Sequence, residues 1–233
     1  AATLYVTLEP CAHRSERGPA CAELTAEAGL ARVVAGTEDA GPRTCGSGLA
    51  RLRSAGIDAV CVANAACRIS LEGYLARAEQ GRPHVTLKLA TSLDGCIALA
   101  SGESRWITGE AARAHAHRER ARVDAILVGG GTLRADRPSL DVRLPGLEDR
   151  GPERWVLTRG DVPAGWKGLA RAEAILGSGL QYLLVEGGAQ AAAAFLAADL
   201  GDRLLIYRAP ILIRGGTGAV GDLPLGTLSP GHG

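Results

Sequence analysis

Short apolar strands alternate with helical segments that close on glycine, and this alternation leaves few architectures open to the chain. Leu4 to Leu8 is apolar and ends at Glu9-Pro10, Cys21 to Ala28 has helical spacing and stops at Gly29, and Arg32 to Gly36 is extended again. Gly48 to Ala55 repeats the helix, closed by Gly56, before a strand from Ile57 to Val62. A longer helix, Ala66 to Glu79, runs into Gly81-Arg82-Pro83, a break that predicts a domain boundary between segments 1–81 and 82–233. Beyond it, strands at 85–90, 96–100, 125–128, 154–157, 182–185 and 204–207 alternate with helices at 110–122 and 189–198. The pattern predicts an α/β protein with parallel or mixed sheets. Two stretches are thin: 158–180 is short for a full crossover, and the glycine-rich tail after Gly215 offers no closing strand.

With 233 residues, 46% apolar and 22% charged, the chain is globular and can bury one large core or two small ones. Its net charge of +1, without a basic run, argues against a nucleic-acid partner, whose affinity rests on phosphate neutralisation. The longest apolar run, Ala191 to Ala198, is too short to span a membrane, and no signal peptide is visible, so a cytoplasmic protein without a membrane partner is expected. Six scattered cysteines (11, 21, 45, 61, 67 and 96) read as metal ligands and buried thiols rather than a disulfide framework. Methionine is absent, and Ala1 to Val6 enters directly in strand pattern, so the chain is expected to begin inside a longer protein.

Chemistry concentrates in three places. Lysine occurs only at 88 and 167, and the rest of the 26 basic residues are arginine, yet Lys88 sits in a strand between Leu87 and Leu89. An ammonium whose pKa moves on burial is useful to a catalyst and an odd choice for packing. Downstream, past turns at Asp94-Gly95 and Ser101-Gly102, the segment from Glu103 to Gly109 has neither period and is either an ordinary surface loop or a ligand-facing one. Second, Gly129-Gly130-Gly131-Thr132 and Glu186-Gly187-Gly188 each follow a strand and precede helical sequence. Such turns let backbone N–H groups reach a phosphate, although neither matches the dinucleotide fingerprint G-x-G-x-x-G. Two of them in one sheet favour a nucleotide cleft at the carboxyl ends of the strands. Third, Cys11 follows a strand end and Cys21 opens a helix, an arrangement suited to zinc; two thiolates do not close a tetrahedral site. His13, two residues from Cys11, faces substrate or solvent on this reading.

The stretch TLYVTLEPCAH…GPAC resembles the second half of the zinc deaminase signature, whose His-x-Glu half lies upstream of Ala1. Its wide cysteine spacing, with KLATSLDG, SGESRWITG, AILVGGGTLRADRPSLDVR and LLVEGG further on, is similar to the bifunctional deaminase–reductase family of riboflavin biosynthesis over nearly the whole chain. The resemblance implies a partial cytidine-deaminase-like α/β/α domain followed by a dihydrofolate-reductase-like α/β domain. It implies zinc on Cys11, Cys21 and a histidine outside this sequence, and NADPH in the second domain against Ala90, Trp106, Thr132, Asp136 and Gly188. The substrate it implies is a phosphorylated ribosylamine on a pyrimidine, met by Ser104, Arg120, Leu140, Arg143 and Glu186, in a homodimer associating through reductase domains. The reaction would be hydride delivery to C1 of the opened ribosyl chain, with Lys88 and Glu186 as the catalytic candidates.

Alternatives stand beside each role. Trp106 is also readable as a core aromatic, Glu186 as an anion at a helix N-terminus and Asp94 as a turn residue. Cys96, where the family usually has a basic residue, and Arg159, where it has a serine-type contact, are departures on the cofactor side. A reductase with a non-catalytic deaminase-like domain, or a non-catalytic nucleotide-binding scaffold, are the competing functions.

Overall fold

A computed structural model describes residues 2–16 and 18–223. The chain divides into two compact units, Ala1–Gly81 and Arg82–Gly233.

The first unit runs β1 (Thr3–Leu8), α1 (Cys21–Glu27), β2 (Arg32–Thr37), α2 (Ser47–Ser54), β3 (Asp58–Cys61), α3 (Ala65–Ser70) and α4 (Glu72–Gln80). Its strands form a parallel sheet in the order β1-β2-β3, with Val33, Ala35 and Ala59 packed against Ala22, Leu49 and Leu52 of the two helices. The single helix predicted over Ala66 to Glu79 is two, interrupted at Leu71, whose φ of −116° and ψ of 8° leave the helical basin. The strand end at Glu9-Pro10 is held from within. The buried Glu9 carboxylate accepts backbone N–H bonds from Asp39 (3.1 Å), Gly46 (2.8 Å) and Leu49 (2.9 Å). Gly48 lets α2 approach that corner, since a β-carbon there would collide with the carbonyl of Pro10.

The second unit runs β4 (His84–Thr91), β5 (Cys96–Ala98), α5 (Glu110–Arg120), β6 (Ala125–Gly129), α6 (Gly130–Asp136), β7 (Glu153–Leu157), β8 (Lys167–Leu169), a 3-10 turn (Ala172–Ile175), β9 (Tyr182–Val185), α7 (Ala189–Ala197), β10 (Arg203–Arg208) and β11 (Thr217–Gly218). Six strands make one parallel sheet in the order β10-β4-β9-β6-β7-β8. The thin 158–180 stretch holds β8 and the 3-10 turn instead of a crossover helix, and the tail supplies a two-residue strand, β11, antiparallel to β5. Residues 224–233 of that tail lie outside the described part.

The sheet has two unlike faces. On one, Val85, Leu87, Leu127, Trp155 and Leu183 pack against Ala191 and Phe195 of α7, a dry core in which each large side chain contributes about 1.5–3 kcal/mol by burial. On the other, Ile126, Val128 and Leu184 pack with Leu133, Leu140 and Trp166. The pairings Thr86 with Leu184, Leu184 with Ile126, and Ile126 with Arg154 align these residues across the sheet. Lys88 and Glu186 lie two residues on, so their side chains share this second face.

Candidate active site

Burying ions on that second face requires each to be answered, and the sheet register does so. The buried Glu186 carboxylate accepts two bonds from Arg120 on α5, Nε at 2.7 Å and Nη2 at 2.9 Å, and faces Lys88 Nζ at 3.5 Å. Burial alone would raise the Glu186 pKa, but the Arg120 fork and the charge of Lys88 outweigh it and hold the carboxyl below its usual range. For Arg120, burial works against the charge and Glu186 more than restores it, so the pKa is raised. Glu186 is therefore an anion between two cations, and Lys88 is the more open of the two, its side chain 19% exposed against 13% for Arg120.

A second set of groups flanks Lys88. Tyr207 of β10 places its ring 5.8 Å below Lys88 Nζ, and its hydroxyl lies 2.6 Å from His115 Nδ1. Burial, then the charges of Glu119 and Glu186, push the Tyr207 phenol up to about 12. Sequence reasoning missed this pair because its members sit on elements far apart in the chain. The spacing of His115 and Glu119, one helical turn apart on α5, was the available signal.

At the carboxyl ends of the strands, Thr132 Oγ1 accepts the Gly188 N–H at 3.2 Å, joining the two glycine turns across β6 and β9. Gly187 must be glycine, because a β-carbon there would overlap that of Ala191 where α7 begins. Gly131 has open space around the position of a β-carbon, leaving its backbone approachable. Ser104 and Asp136 line one cavity of about 300 Å³ with Arg105. Trp106 is 67% exposed, not a core aromatic, with the Arg113 guanidinium 4.7 Å from its ring. Ala90 lies beside Tyr207 in register. A polar hollow, paired glycine turns and an exposed indole suit a nucleotide cofactor.

The remaining expected positions are less alike. Leu140 is buried among Ile126, Val128 and Leu184, so only its backbone is available to a ligand. Arg143 is on the surface, bonded to Asp141 at 3.1 Å, while its N–H donates to His117 Nδ1 at 3.2 Å. Arg120 also bonds the Asp141 carbonyl (3.1 Å), tying this loop to the buried triad. Burial, then the charges of Arg120 and Arg143, push the His117 pKa down. Asp94 is a turn residue: it accepts from Ser92 (2.6 Å) and the N–H groups of Ile213 (3.1 Å) and Arg214 (2.9 Å), which lower its pKa to about 2.

The first unit brings Cys11 and Cys21 together, the Cys21 N–H donating to Cys11 Sγ at 3.2 Å. His13 turns away, its Nδ1 lying 3.3 Å from Thr44 Oγ1. Among the described residues no three His, Cys, Asp or Glu side chains are grouped to hold a metal, so these residues do not fit a closed zinc site.

A parallel α/β unit with a buried Lys–Glu–Arg cluster and glycine turns at its strand ends is built as a small-molecule enzyme. Residues 83–228 match the family described as the RibD C-terminal domain. The chain belongs to the RibD family of riboflavin biosynthesis, and its second unit is the family's reductase domain. It is 49% identical over 143 residues to the riboflavin biosynthesis protein RibD of Haemophilus influenzae, covering 61% of this chain and 38% of that one. To RibD of Mycobacterium tuberculosis it is 38% identical over 245 residues, covering 98% of this chain and 72% of the relative. The solved RibD of Acinetobacter baumannii superposes with a TM-score of 0.85 at 32% identity, over 95% of this chain and 73% of that one. A deaminase/reductase from Thermotoga maritima gives 0.82 at 29% identity, over 94% and 72%. No helix among the described residues is long and apolar enough to cross a membrane.

Proposed function

We propose that the second unit reduces a 5-amino-6-(5-phosphoribosylamino)uracil with NADPH, converting the ribosyl chain to a ribityl chain. The observation that carries this reading is the Lys88–Glu186–Arg120 cluster, beside the strand ends where Thr132 and Gly188 meet. Ala90, Trp106, Thr132, Asp136 and Gly188 would hold the cofactor, which when bound supplies the hydride. Lys88 holds the proton that the substrate nitrogen gains as the neighbouring carbon is reduced. Glu186 keeps Lys88 charged and aimed, while Arg120 fixes Glu186 and offers its remaining N–H to substrate. Ser104, the backbone at Leu140, and Arg143 complete the substrate side, Arg143 meeting the phosphate. NADPH consumption with that aminouracil, compared between the wild type and Lys88→Met, tests the assignment. Turnover that survives unchanged in Lys88→Met would remove Lys88 from the chemistry and favour another proton source.

For the first unit, the deaminase reading is supported by Glu9-Pro10-Cys11 and Cys21 at a strand end and helix start, and by the likeness to the Thermotoga deaminase/reductase. Cys11 and Cys21 would supply at most two of the four ligands that a zinc site needs, and no deamination step is assigned to the residues present. A homodimer through the second unit is supported by Leu204 and Ile206, exposed on the edge strand β10. Light scattering of wild type and Ile206→Lys tests it.

A further inference from the structure

On the same face of the second sheet as Lys88, but across β6, lies a hollow of about 730 Å³ that the proposed reaction does not use. Its lining includes Leu133, Arg134 and Arg137 from α6 and the residue after it, Arg154 of β7, and Pro163 and Trp166 ahead of β8. The volume is that of a small-molecule pocket. Three arginines line it, and among the described residues none of them has a carboxylate partner; Arg154 has the Trp166 ring 5.7 Å from its guanidinium carbon. Elsewhere in this unit the arginines that meet the sheet face are answered, Arg120 by Glu186 and Arg203 by Glu119. Arg137 adds a second oddity. It ends α6 with φ 40° and ψ 55°, a left-handed position normally given to glycine or asparagine, yet it carries a long cationic side chain into the lining.

Most of the hollow lies away from the glycine turns; Arg134 alone reaches back along α6, its Nη1 coming close to Gly130 and Thr158. Arg154 is the second residue of β7 and stands in register with Ile126, near the amino ends of both strands. The glycine turns, Thr132 and Thr158 lie at the opposite, carboxyl ends. Two strand spacings, roughly 10 Å, part β7 from β9, which carries Glu186 into the triad, and Ile126, Val128 and Leu140 fill the sheet face between.

We propose that this hollow is a second ligand site, for a planar aromatic anion of the aryl phosphate class. The ring lies against Trp166 and the flat guanidinium of Arg154, and the phosphate is held by Arg134 and Arg137. The apolar Leu133 and Pro163 exclude water from the ring edge, and the missing carboxylates leave the positive charge for the ligand to neutralise.

The probe is 1-naphthyl phosphate, titrated against the whole chain at low ionic strength by tryptophan fluorescence and by ligand-observed NMR. Binding should be saturable, at least about tenfold tighter than for uncharged 1-naphthol, and weakened at least about tenfold by Arg134→Gln with Arg137→Gln. Saturating NADPH should leave it unchanged, and Trp166→Phe should remove the fluorescence response while retaining the NMR signal. Should the double variant fold poorly, Arg154→Gln reports on the same site from a different element. Equal binding to all variants, no preference over 1-naphthol, or displacement by NADPH would overturn the proposal, the last by assigning the probe to the cofactor cleft. Loss of NADPH turnover in Lys88→Met bears on the reductase reading alone, so the two fail independently.

Discussion

Replacing Glu186 by glutamine keeps the shape of the buried side chain and removes the anion that Arg120 and Lys88 share. Both cations then remain near one another, with an amide that can accept from one Arg120 N–H and must present its own NH2 to the other. Leaving a buried charge without its partner costs about 3–5 kcal/mol. For a unit of this size each kcal/mol moves the melting temperature by about 2–4 °C, so Glu186→Gln should melt roughly 6–20 °C lower. Lys88→Met is the necessary companion. It leaves the 2.7 and 2.9 Å bonds between Arg120 and Glu186 in place and removes a partly open ammonium 3.5 Å away. Its stability should fall by less than that of Glu186→Gln, because the carboxylate keeps its Arg120 fork, while NADPH turnover drops by a factor of about 10²–10⁴. Calorimetry and NADPH consumption on both variants separate the roles. A shift below about 2 °C for Glu186→Gln would mean that water reaches the triad and relieves the uncompensated charge. A loss of stability in Lys88→Met equal to that of Glu186→Gln would refute the division into an anchoring fork and a chemical lysine.

Three further outcomes follow from the geometry. Glu9→Gln places an amide NH2 against one of the three backbone donors at Asp39, Gly46 and Leu49, and should destabilise the first unit by about 2–4 kcal/mol, read from urea unfolding. Asp94 has a depressed folded-state pKa, so its contribution is present in full above the ordinary value of 3.8 and is lost as pH falls through about 2. Urea midpoints of wild type and Asp94→Asn should therefore differ at neutral pH and converge towards pH 2; curves that stay parallel would show that the charge is not what the 213–214 backbone binds. Gly187→Ala forces a β-carbon onto that of Ala191 and should cost about 1–3 kcal/mol, measured by thermal melting.

What the sequence revealed, and what it hid, follows from how local each signal is. The strand Tyr182–Val185 was readable to the residue because an apolar run ends at a charge followed by two glycines. Lys88 stood out by scarcity alone, and its closeness to Glu186 needs the β4–β9 register, which no local pattern specifies. Helix α6 was hidden because it begins with two glycines, the poorest helix formers after proline; burial of Leu133 against Val128 and Leu140 overrides that propensity. The break at Leu71 was hidden because leucine is itself a good helix former, although Ser70 and Gly73 near it are weak ones. Tyr207 and His115 meet only through tertiary packing. The three unanswered arginines around Trp166 are similarly invisible, because a chain so rich in arginine gives no local sign of which guanidiniums lack a carboxylate.

The strand order also sets a timetable for synthesis. β4, first of the six in the chain, is flanked by β10 and β9, so Val85 waits for Leu183 and Thr86 for Arg203. Parallel pairing over such separations is slow, and an emerging chain must hold β4 with neither neighbour until β9 is made, and with one edge open until β10 follows α7. Lys88 lies on that strand, so its cluster with Arg120 and Glu186 assembles only after β9 has been made. An interrupted chain has β4 without its final neighbours and exposes the edge that a second nascent copy could pair with.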